Sequence, residues 1–142
     1  MSKSLEQILP KPQSVGPRDW GEETLLVLAS GKYSFKKLFI KGGNSGGLQY
    51  HRKKDEAGYI VSGRLLIRYQ DDSGQLDEVT LEAGAFFHFP PGTIHQEEAL
   101  EDTVIIEAST PHFNDRVRVE NNFGLKMQGG LNSSSEEEIE LR

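Results

Sequence analysis

Apolar residues along the chain fall in short blocks where apolar and polar positions alternate, and glycine-rich turns separate these blocks. An alternation of period two puts every second side chain on one face, which is typical of a strand with one buried face. No long segment repeats its apolar residues at the spacing of an amphipathic helix. The pattern therefore predicts an all-β chain with strands at residues 24–29, 33–41, 48–53, 58–61, 65–70, 78–81, 85–89, 94–99 and 103–109.

The length predicts a single domain with short terminal extensions. A chain of 142 residues can bury one core but is short for two. We expect an N-terminal arm at residues 1–17, a barrel at 18–119 and a C-terminal extension at 120–142. The extension ends in a serine-rich, acidic run around 136–138, which indicates a flexible tail or an interaction segment. The arm and residues 113–123 are candidate elements of a homodimer interface.

Composition excludes several classes of function. The chain has no cysteine, which excludes a disulfide framework and a thiol nucleophile. Its 16 Lys and Arg against 22 Asp and Glu give a formal charge of −6, which argues against nucleic acid as the principal ligand. The longest apolar runs are too short to cross a bilayer, and residues 1–10 lack the apolar core of a signal peptide. We therefore expect a cytoplasmic protein with no membrane or nucleic-acid partner.

Four polar residues have the spacing of one metal site. Gln49 and His51 are two positions apart on a strand and share a face, and Glu56 follows at a turn. His95 comes after a Pro-Pro-Gly turn at 90–92 that orients it. Two imidazoles, a carboxylate and an amide oxygen suit zinc, manganese, iron, cobalt or nickel rather than calcium. Two alternatives stay open: Gln49 only hydrogen-bonds a water or substrate at the metal, or the barrel binds no metal.

The two blocks that carry these residues resemble the two motifs of the cupin family. The first motif of that family is G-x5-H-x-H-x3-4-E-x6-G, and the second is G-x5-P-x-G-x2-H-x3-N. Gln49 stands for the first histidine and Ala99 for the closing asparagine. The resemblance implies a double-stranded β-helix, a jelly-roll-like barrel, with a divalent metal, zinc in the first place, at the four residues above. The matching segments read Gln49-x-His51-x4-Glu56-x6-Gly63 and Gly84-x5-Pro90-x-Gly92-x2-His95.

Residues 18–119 also resemble the cupin domain of type II phosphomannose isomerases, in which a glutamine at the position of Gln49 is normal. The histidine and tryptophan that follow the glutamate in that family are absent here, where Ala57 and Gly58 stand instead. No nucleotidyltransferase domain accompanies the barrel, so we expect a stand-alone cupin. The resemblance implies a carbohydrate ligand and metal-assisted isomerisation or epimerisation of a sugar or sugar phosphate. The similar stretches are residues 18–21, 41–43, 48–51, 61–63, 107–109 and 115–118.

Four further residues are candidates for binding or moving protons on such a substrate. Glu107, on the strand after His95, is the candidate base, although a solvated carboxylate or a partner for Arg118 is an equal interpretation. Lys53 would share a strand face with His51 and could act in catalysis or hold an anionic group. Arg118 could also hold an anionic group. His88 lies two residues before Pro90 and is a weaker candidate for the pocket wall.

Two other functions stay open. Barrels with this ligand layout also serve metal-dependent dioxygenases, which use iron and dioxygen and require open coordination positions. The loss of the residues after the glutamate instead favours a non-catalytic carbohydrate-binding or regulatory module, with the acidic tail available to a partner protein.

Overall fold

The strands form two main antiparallel sheets in residues 4–142, the part of the chain that the computed structural model describes. The first sheet contains six strands and the second five, and two short strands pair separately. Residues 1–3 of the predicted N-terminal arm lie outside the described residues. The strands are β1 (Gln13–Ser14), β2 (Gly21–Ala29), β3 (Tyr33–Ile40), β4 (Gln49–Tyr50), β5 (Glu56–Ser62), β6 (Arg64–Gln70), β7 (Leu76–Glu82), β8 (Phe86–Phe89), β9 (His95–Ala99), β10 (Thr103–Ser109), β11 (His112–Phe113), β12 (Val117–Arg118) and β13 (Glu140–Leu141).

The sheet order brings distant parts of the chain together. The six-stranded sheet runs β1-β2-β3-β10-β5-β8, and the five-stranded sheet runs β12-β4-β9-β6-β7. Strand β11 pairs with β13. One short α-helix, α1 (Leu5–Ile8), precedes the sheets, and two 3-10 helices at Glu120–Phe123 and Glu136–Glu138 follow them.

The core lies between the two sheets because one face of each carries the apolar residues of the alternating pattern. In β3, for example, Leu38 and Ile40 are buried, whereas Lys37 before them is exposed and Phe39 between them is only half-buried. Both sheets contribute to a single apolar cluster, so the barrel has one core. The buried members of that cluster are Leu38, Ile40, Ile60, Leu65, Ile67, Phe87, Phe89, Ala99 and Ile105.

A single glycine carries the chain from the first sheet to the second. Gly63 is the single residue between β5 and β6, and its φ of 95° is a backbone angle that residues other than glycine rarely adopt. A Cβ atom at this position would lie 2.4 Å from the carbonyl oxygen of Asp102. The tight turn fixes the start of β6 against the end of the neighbouring loop.

The all-β fold class is confirmed, and each of the nine predicted strands has a counterpart. The largest difference is at residues 48–53, where the strand β4 ends at Tyr50. Residues 52–54 turn away because their backbone N–H groups bind the carboxylate of Asp115 instead of a neighbouring strand.

The acidic C-terminal extension packs against the barrel, contrary to the expectation of a flexible tail. Strand β13 pairs with β11, and the backbone N–H of Gly31 donates to the carbonyl of Arg142 at 2.6 Å. Ser134 is buried and hydrogen-bonds the backbone of Arg116. The sequence pattern missed this because the contacts are made by short polar segments with no alternation.

Within residues 4–142, no helix combines the length and the apolar character that a membrane span requires.

Candidate metal centre

Three buried side chains converge at one end of the barrel interior. His51 follows β4 directly, Glu56 begins β5 and His95 begins β9. Oε1 of Glu56 lies 3.4 Å from Nε2 of His51 and 3.2 Å from Nε2 of His95. One ligand atom from each residue lies within 4.8 Å of the others. The structure thus brings together three of the four predicted metal ligands.

Both imidazoles are held in the tautomer that a metal ligand requires. Nδ1 of His51 donates to the backbone carbonyl of Asp115, and Nδ1 of His95 donates to the carbonyl of Thr93 at 2.8 Å. Because Nδ1 of each ring is bonded to a carbonyl, Nε2 is the nitrogen that lies beside the Glu56 carboxylate, and it can bind a metal ion when it carries no proton. A donor set of two imidazole nitrogens and a carboxylate oxygen fits a transition-metal ion, and zinc in particular.

Gln49, the fourth predicted ligand, lies beside the cluster. It stands opposite His95 in the pairing of β4 with β9, and its side chain lines the same cavity. An amide oxygen there can bind a cation directly or hydrogen-bond a water on it. Both interpretations of Gln49 remain predictions.

The charges at the cluster also suit a cation. Burial alone would raise the pKa of Glu56, but Lys54, His51 and His95 together hold the pKa well below its usual range. Burial alone would lower the pKa of His95, but its hydrogen bond to the Glu56 carboxylate raises it. A metal ion would replace the proton on this imidazole, since only the neutral ring is a ligand.

Asp115 fixes the loop between His51 and Glu56. Its carboxylate accepts the backbone N–H groups of Arg52, Lys53 and Lys54 at 2.9, 2.7 and 2.8 Å. Burial would raise the pKa of Asp115, but these three N–H groups lower it. Because the carbonyl of the same residue orients His51, Asp115 supports the site twice.

A cavity of about 600 Å³ opens beside the cluster. Its walls come from the barrel interior, the N-terminal arm and the C-terminal extension, and they include Trp20, Glu107 and Leu131. This volume lies within the usual range of about 300–1,000 Å³ for small-molecule sites. The lining is mixed polar and apolar, with many charged side chains.

Glu107 lies in this cavity, where the sequence predicted a base. The residue is buried, and Nζ of Lys54 lies 3.9 Å from its carboxylate and 3.1 Å from that of Glu56. Burial, together with the charge of Glu56, raises the pKa of Glu107 well above its ordinary value. Burial likewise raises the pKa of Glu97, on β9, to about 7. The cavity therefore holds two carboxyl groups whose pKa lies above the ordinary value.

Lys53 does not reach the cavity, contrary to the prediction. Its side chain is exposed, and the neighbouring Lys54 lines the cavity instead. Lys53 does not share a strand face with His51 because the strand ends at Tyr50, and the alternation of faces does not continue after it.

His88 and Arg118 are also placed away from the predicted role. His88 faces outwards because Phe87 and Phe89 on the same strand are buried, and its Nε2 lies 2.7 Å from Asp55. Arg118 is buried outside the cavity lining, and its guanidinium pairs with the Glu120 carboxylate. Its other N–H groups donate to backbone carbonyls of the C-terminal extension.

Three residues that shape the site were not predicted from the sequence as site residues: Lys54, Asp115 and Arg116. Lys54 is two positions from Glu56, but nothing local distinguished it from Lys53. Asp115 and Arg116 lie in the stretch 115–118 that carried part of the family resemblance, so a signal existed without a role attached. Arg116 lines the cavity.

Comparison with known proteins points to one family. The sequence model of the family described as Cupin domain matches residues 37–108, about half of the chain. No curated protein matches the chain.

Several solved structures share the fold. CapF with the inhibitor 3-isopropenyl-tropolone is 24% identical over 70% of this chain and 30% of its own, with a TM-score of 0.60. A second CapF structure, of the capsular polysaccharide assembling protein from Staphylococcus aureus, gives 20% identity, 70% and 28% coverage, and a TM-score of 0.58. KdgF from Halomonas sp. is 22% identical over 70% of this chain and 85% of its own, with a TM-score of 0.58. Oxalate oxidase in complex with the substrate analogue glycolate is 18% identical over 55% and 41%, with a TM-score of 0.50.

These identities are all below 25%, so the likeness to these structures concerns the fold alone. The chain spans less than a third of the length of the CapF chains.

Proposed function

This chain belongs to the cupin domain family, and we propose that His51, Glu56 and His95 bind a divalent metal ion for the isomerisation or epimerisation of a sugar or sugar phosphate. Zinc is the first expectation, with manganese, iron, nickel or cobalt as alternatives, because the donor set is two imidazoles and a carboxylate. Gln49 is the fourth candidate ligand. The narrower likeness to phosphomannose isomerases stays a prediction.

The observation that supports catalysis is the place of Glu107. Its carboxyl group faces the same cavity as the three candidate ligands and is not itself one of them. Burial and the charge of Glu56 raise its pKa well above the usual value, which makes its ionised form a stronger proton acceptor. Lys54 stabilises the ionised form of Glu107 from 3.9 Å.

The residues would act on the substrate as follows. The carboxylate of Glu107 accepts the proton from the carbon beside the substrate carbonyl, and the electron pair of that C–H bond moves towards the carbonyl oxygen. Return of the proton to the former carbonyl carbon, while the neighbouring hydroxyl proton passes to the former carbonyl oxygen, completes an isomerisation. Protonation of the first carbon from its opposite face by a proton from water, with the Glu107 proton released to solvent, completes an epimerisation. A bound divalent cation would supply Lewis-acid stabilisation for the negative charge that develops on the substrate oxygen.

A carbohydrate is the substrate class that the cavity supports best. Its walls offer carboxylates, imidazoles and amides that can hydrogen-bond hydroxyl groups, while Trp20 and Leu38 offer apolar surface. CapF, which has the same fold, is described as a capsular polysaccharide assembling protein. Both points favour a sugar and neither identifies one.

Proton exchange tests this function directly. The zinc-loaded protein would be incubated in deuterium oxide with a panel of aldoses, ketoses and their phosphates, and the sugars would be followed by NMR. We expect deuterium to appear at a carbon beside the carbonyl of at least one sugar. No exchange with any member of the panel, with zinc bound, would contradict the proposal and favour a non-catalytic carbohydrate-binding or regulatory module.

A metal-dependent dioxygenase is the second candidate. Oxalate oxidase shares the fold, and two imidazoles with a carboxylate form a set that also suits iron. Oxygen consumption by the iron-loaded protein, without sugar exchange by the zinc-loaded protein, would favour this alternative.

We also propose that the chain forms a homodimer, through the outer face of the six-stranded sheet. Phe35, Tyr59 and Phe86 are exposed there on three of its strands, and Tyr59 stands opposite Phe86 in the pairing of β5 with β8. Exposed aromatic side chains on one face of a sheet favour contact with a second protein surface, and an identical face satisfies two-fold symmetry. The predicted interface at residues 113–123 is less favoured, because Phe113 packs against Lys36 and Arg142 of the same chain. A cytoplasmic location stays a prediction.

A further inference from the structure

Among the described residues that line the cavity, one cation differs from the others. Each lysine there, and each other arginine, has a carboxylate partner within 4.0 Å, whereas Arg116 has none. The side chain of Arg116 makes one hydrogen bond, from Nε to the carbonyl of Asn132 at 2.8 Å. Its two terminal nitrogens therefore have no hydrogen-bond acceptor among residues 4–142, and Arg116 lines the cavity.

The C-terminal extension holds Arg116 in place. The backbone N–H of Arg116 donates to Oγ of Ser134 at 2.9 Å, and the N–H of Ser134 donates to the carbonyl of Arg116 at 2.9 Å. Ser134 is itself 3% exposed. Since Nε is bound to Asn132, the guanidinium has little freedom to turn towards another partner.

We propose that Arg116 binds an oxyanion of the substrate, a carboxylate or a phosphate group, while the reacting end of the same molecule lies at His51, Glu56 and His95. This inference rests on the proposed function and adds that the substrate is an anionic sugar. A guanidinium presents two parallel N–H groups, which matches the oxygens of a carboxylate or phosphate. Arg116 directly follows Asp115, which orients His51, so one segment of the chain fixes both ends of the bound molecule.

The surrounding charges leave Arg116 available for an external anion. Glu23, an acidic residue that also lines the cavity, is already paired with Arg18 and Lys36 at 2.9 Å each. Burial and the like charges of Arg18 and Arg118 lower the pKa of Arg116, while the charges of Glu138 and Glu23 act in the opposite direction. Neither carboxylate forms an ion pair with Arg116 among the described residues. An anion bound between these arginines would relieve that repulsion.

Arginine side-chain NMR tests the inference without relying on turnover. The Nε–Hε resonances of the zinc-loaded, ¹⁵N-labelled full chain would be followed at constant ionic strength during titration with inorganic phosphate, mannuronate and mannose. The resonance of Arg116, assigned from Arg116→Gln, should shift with phosphate or with mannuronate and stay in place with mannose. The two anionic probes distinguish a phosphate group from a carboxylate as the natural ligand.

Two variants show how much Arg116 contributes to the affinity for the anion. Arg116→Gln should bind the preferred anion about 10- to 100-fold more weakly, because a hydrogen bond to a charged group contributes about 1.5–3 kcal/mol. Arg142→Gln is the matched control, since Arg142 lines the same cavity but is paired with Glu140. It should keep wild-type affinity.

The inference would be overturned, even if zinc is bound, by an Arg116 resonance that does not shift with either anion. An Arg116→Gln variant with wild-type affinity for the anion would also overturn it. Elemental analysis of the same samples separates the two proposals. Saturable binding of an anion at Arg116 in a protein that takes up no metal would contradict the proposed function and leave the anion site standing.

Discussion

Replacing Asp115 by asparagine should destabilise the chain and weaken metal binding together. In the native structure, one carboxylate oxygen accepts the N–H of Arg52 and the other accepts those of Lys53 and Lys54. An amide of the same shape has one acceptor oxygen and one NH₂ group. Its best orientation keeps two of these bonds as neutral hydrogen bonds and turns donor against donor at the third.

The size of the effect follows from these three bonds. A hydrogen bond to a charged group contributes about 1.5–3 kcal/mol, and a neutral one contributes about 1 kcal/mol. Losing one charged bond and weakening two therefore costs about 3 kcal/mol in the free energy of unfolding. For 142 residues at about 2.1 cal/mol/K per residue, this lowers the Tm by about 10 °C. Because the same three contacts hold the segment whose backbone carbonyl orients His51, zinc affinity should fall by about 10- to 100-fold.

Thermal unfolding of the metal-free protein and calorimetric titration of zinc measure the two effects separately. Asp19→Asn is the matched control, since Asp19 lines the same cavity but is exposed. This control should stay within about 0.5 kcal/mol of the wild type. An Asp115→Asn protein with wild-type Tm and wild-type zinc affinity would refute the assigned role of the three N–H contacts.

Further predictions concern proton transfer, acid stability and assembly. Glu107→Gln should retain zinc but lower the rate of deuterium exchange into the substrate by at least about 100-fold, and an unchanged rate would exclude Glu107 as the proton carrier. Burial would raise the pKa of Glu23, but Lys36 and Arg18 lower it overall, so its contribution to stability is complete above the pKa of the unfolded chain and is lost as pH falls. Glu23→Gln should therefore lower the free energy of unfolding by about 2 kcal/mol at pH 7, which is less than for a fully buried pair because Arg18 is 26% exposed. The variant should also show a smaller fall in Tm between about pH 5 and pH 3, and the same fall as in the wild type would contradict the pairing. Phe86→Glu should convert the dimer to a monomer in sedimentation velocity, and a monomeric wild type would contradict the proposed assembly.

The strands could be predicted from sequence because one face of each is buried and the alternation records it. Leu38 and Ile40 in β3 are examples, since both are buried and the less buried Phe39 separates them. The two halves of the candidate site were found for a similar reason. Short spacings around His51 and before His95 place ligands on neighbouring strands, and these spacings also carry the family resemblance.

The residues that the sequence misplaced depend on contacts between distant segments. Lys53 and Lys54 are equivalent in sequence, and the distinction comes from Asp115, whose carboxylate ends the strand before either lysine. Arg116 and Arg118 are likewise close to each other in the sequence, and their positions alone do not distinguish their roles. Arg118 is withdrawn from the cavity because Glu120 and backbone carbonyls of the C-terminal extension bind its guanidinium, and composition gave no sign of that packing.

Metal content tests the central claim most directly. Elemental analysis of the full chain, purified without an affinity tag, would be made alongside His95→Ala, with circular dichroism to confirm that both are folded. We predict one divalent metal ion per wild-type chain, zinc in the first place, and none in the variant, because His51 and Glu56 then have only the weaker amide ligand Gln49 beside them. A folded wild type without metal after incubation with zinc, manganese or iron, or a variant that keeps a full equivalent, would contradict the site at His51, Glu56 and His95.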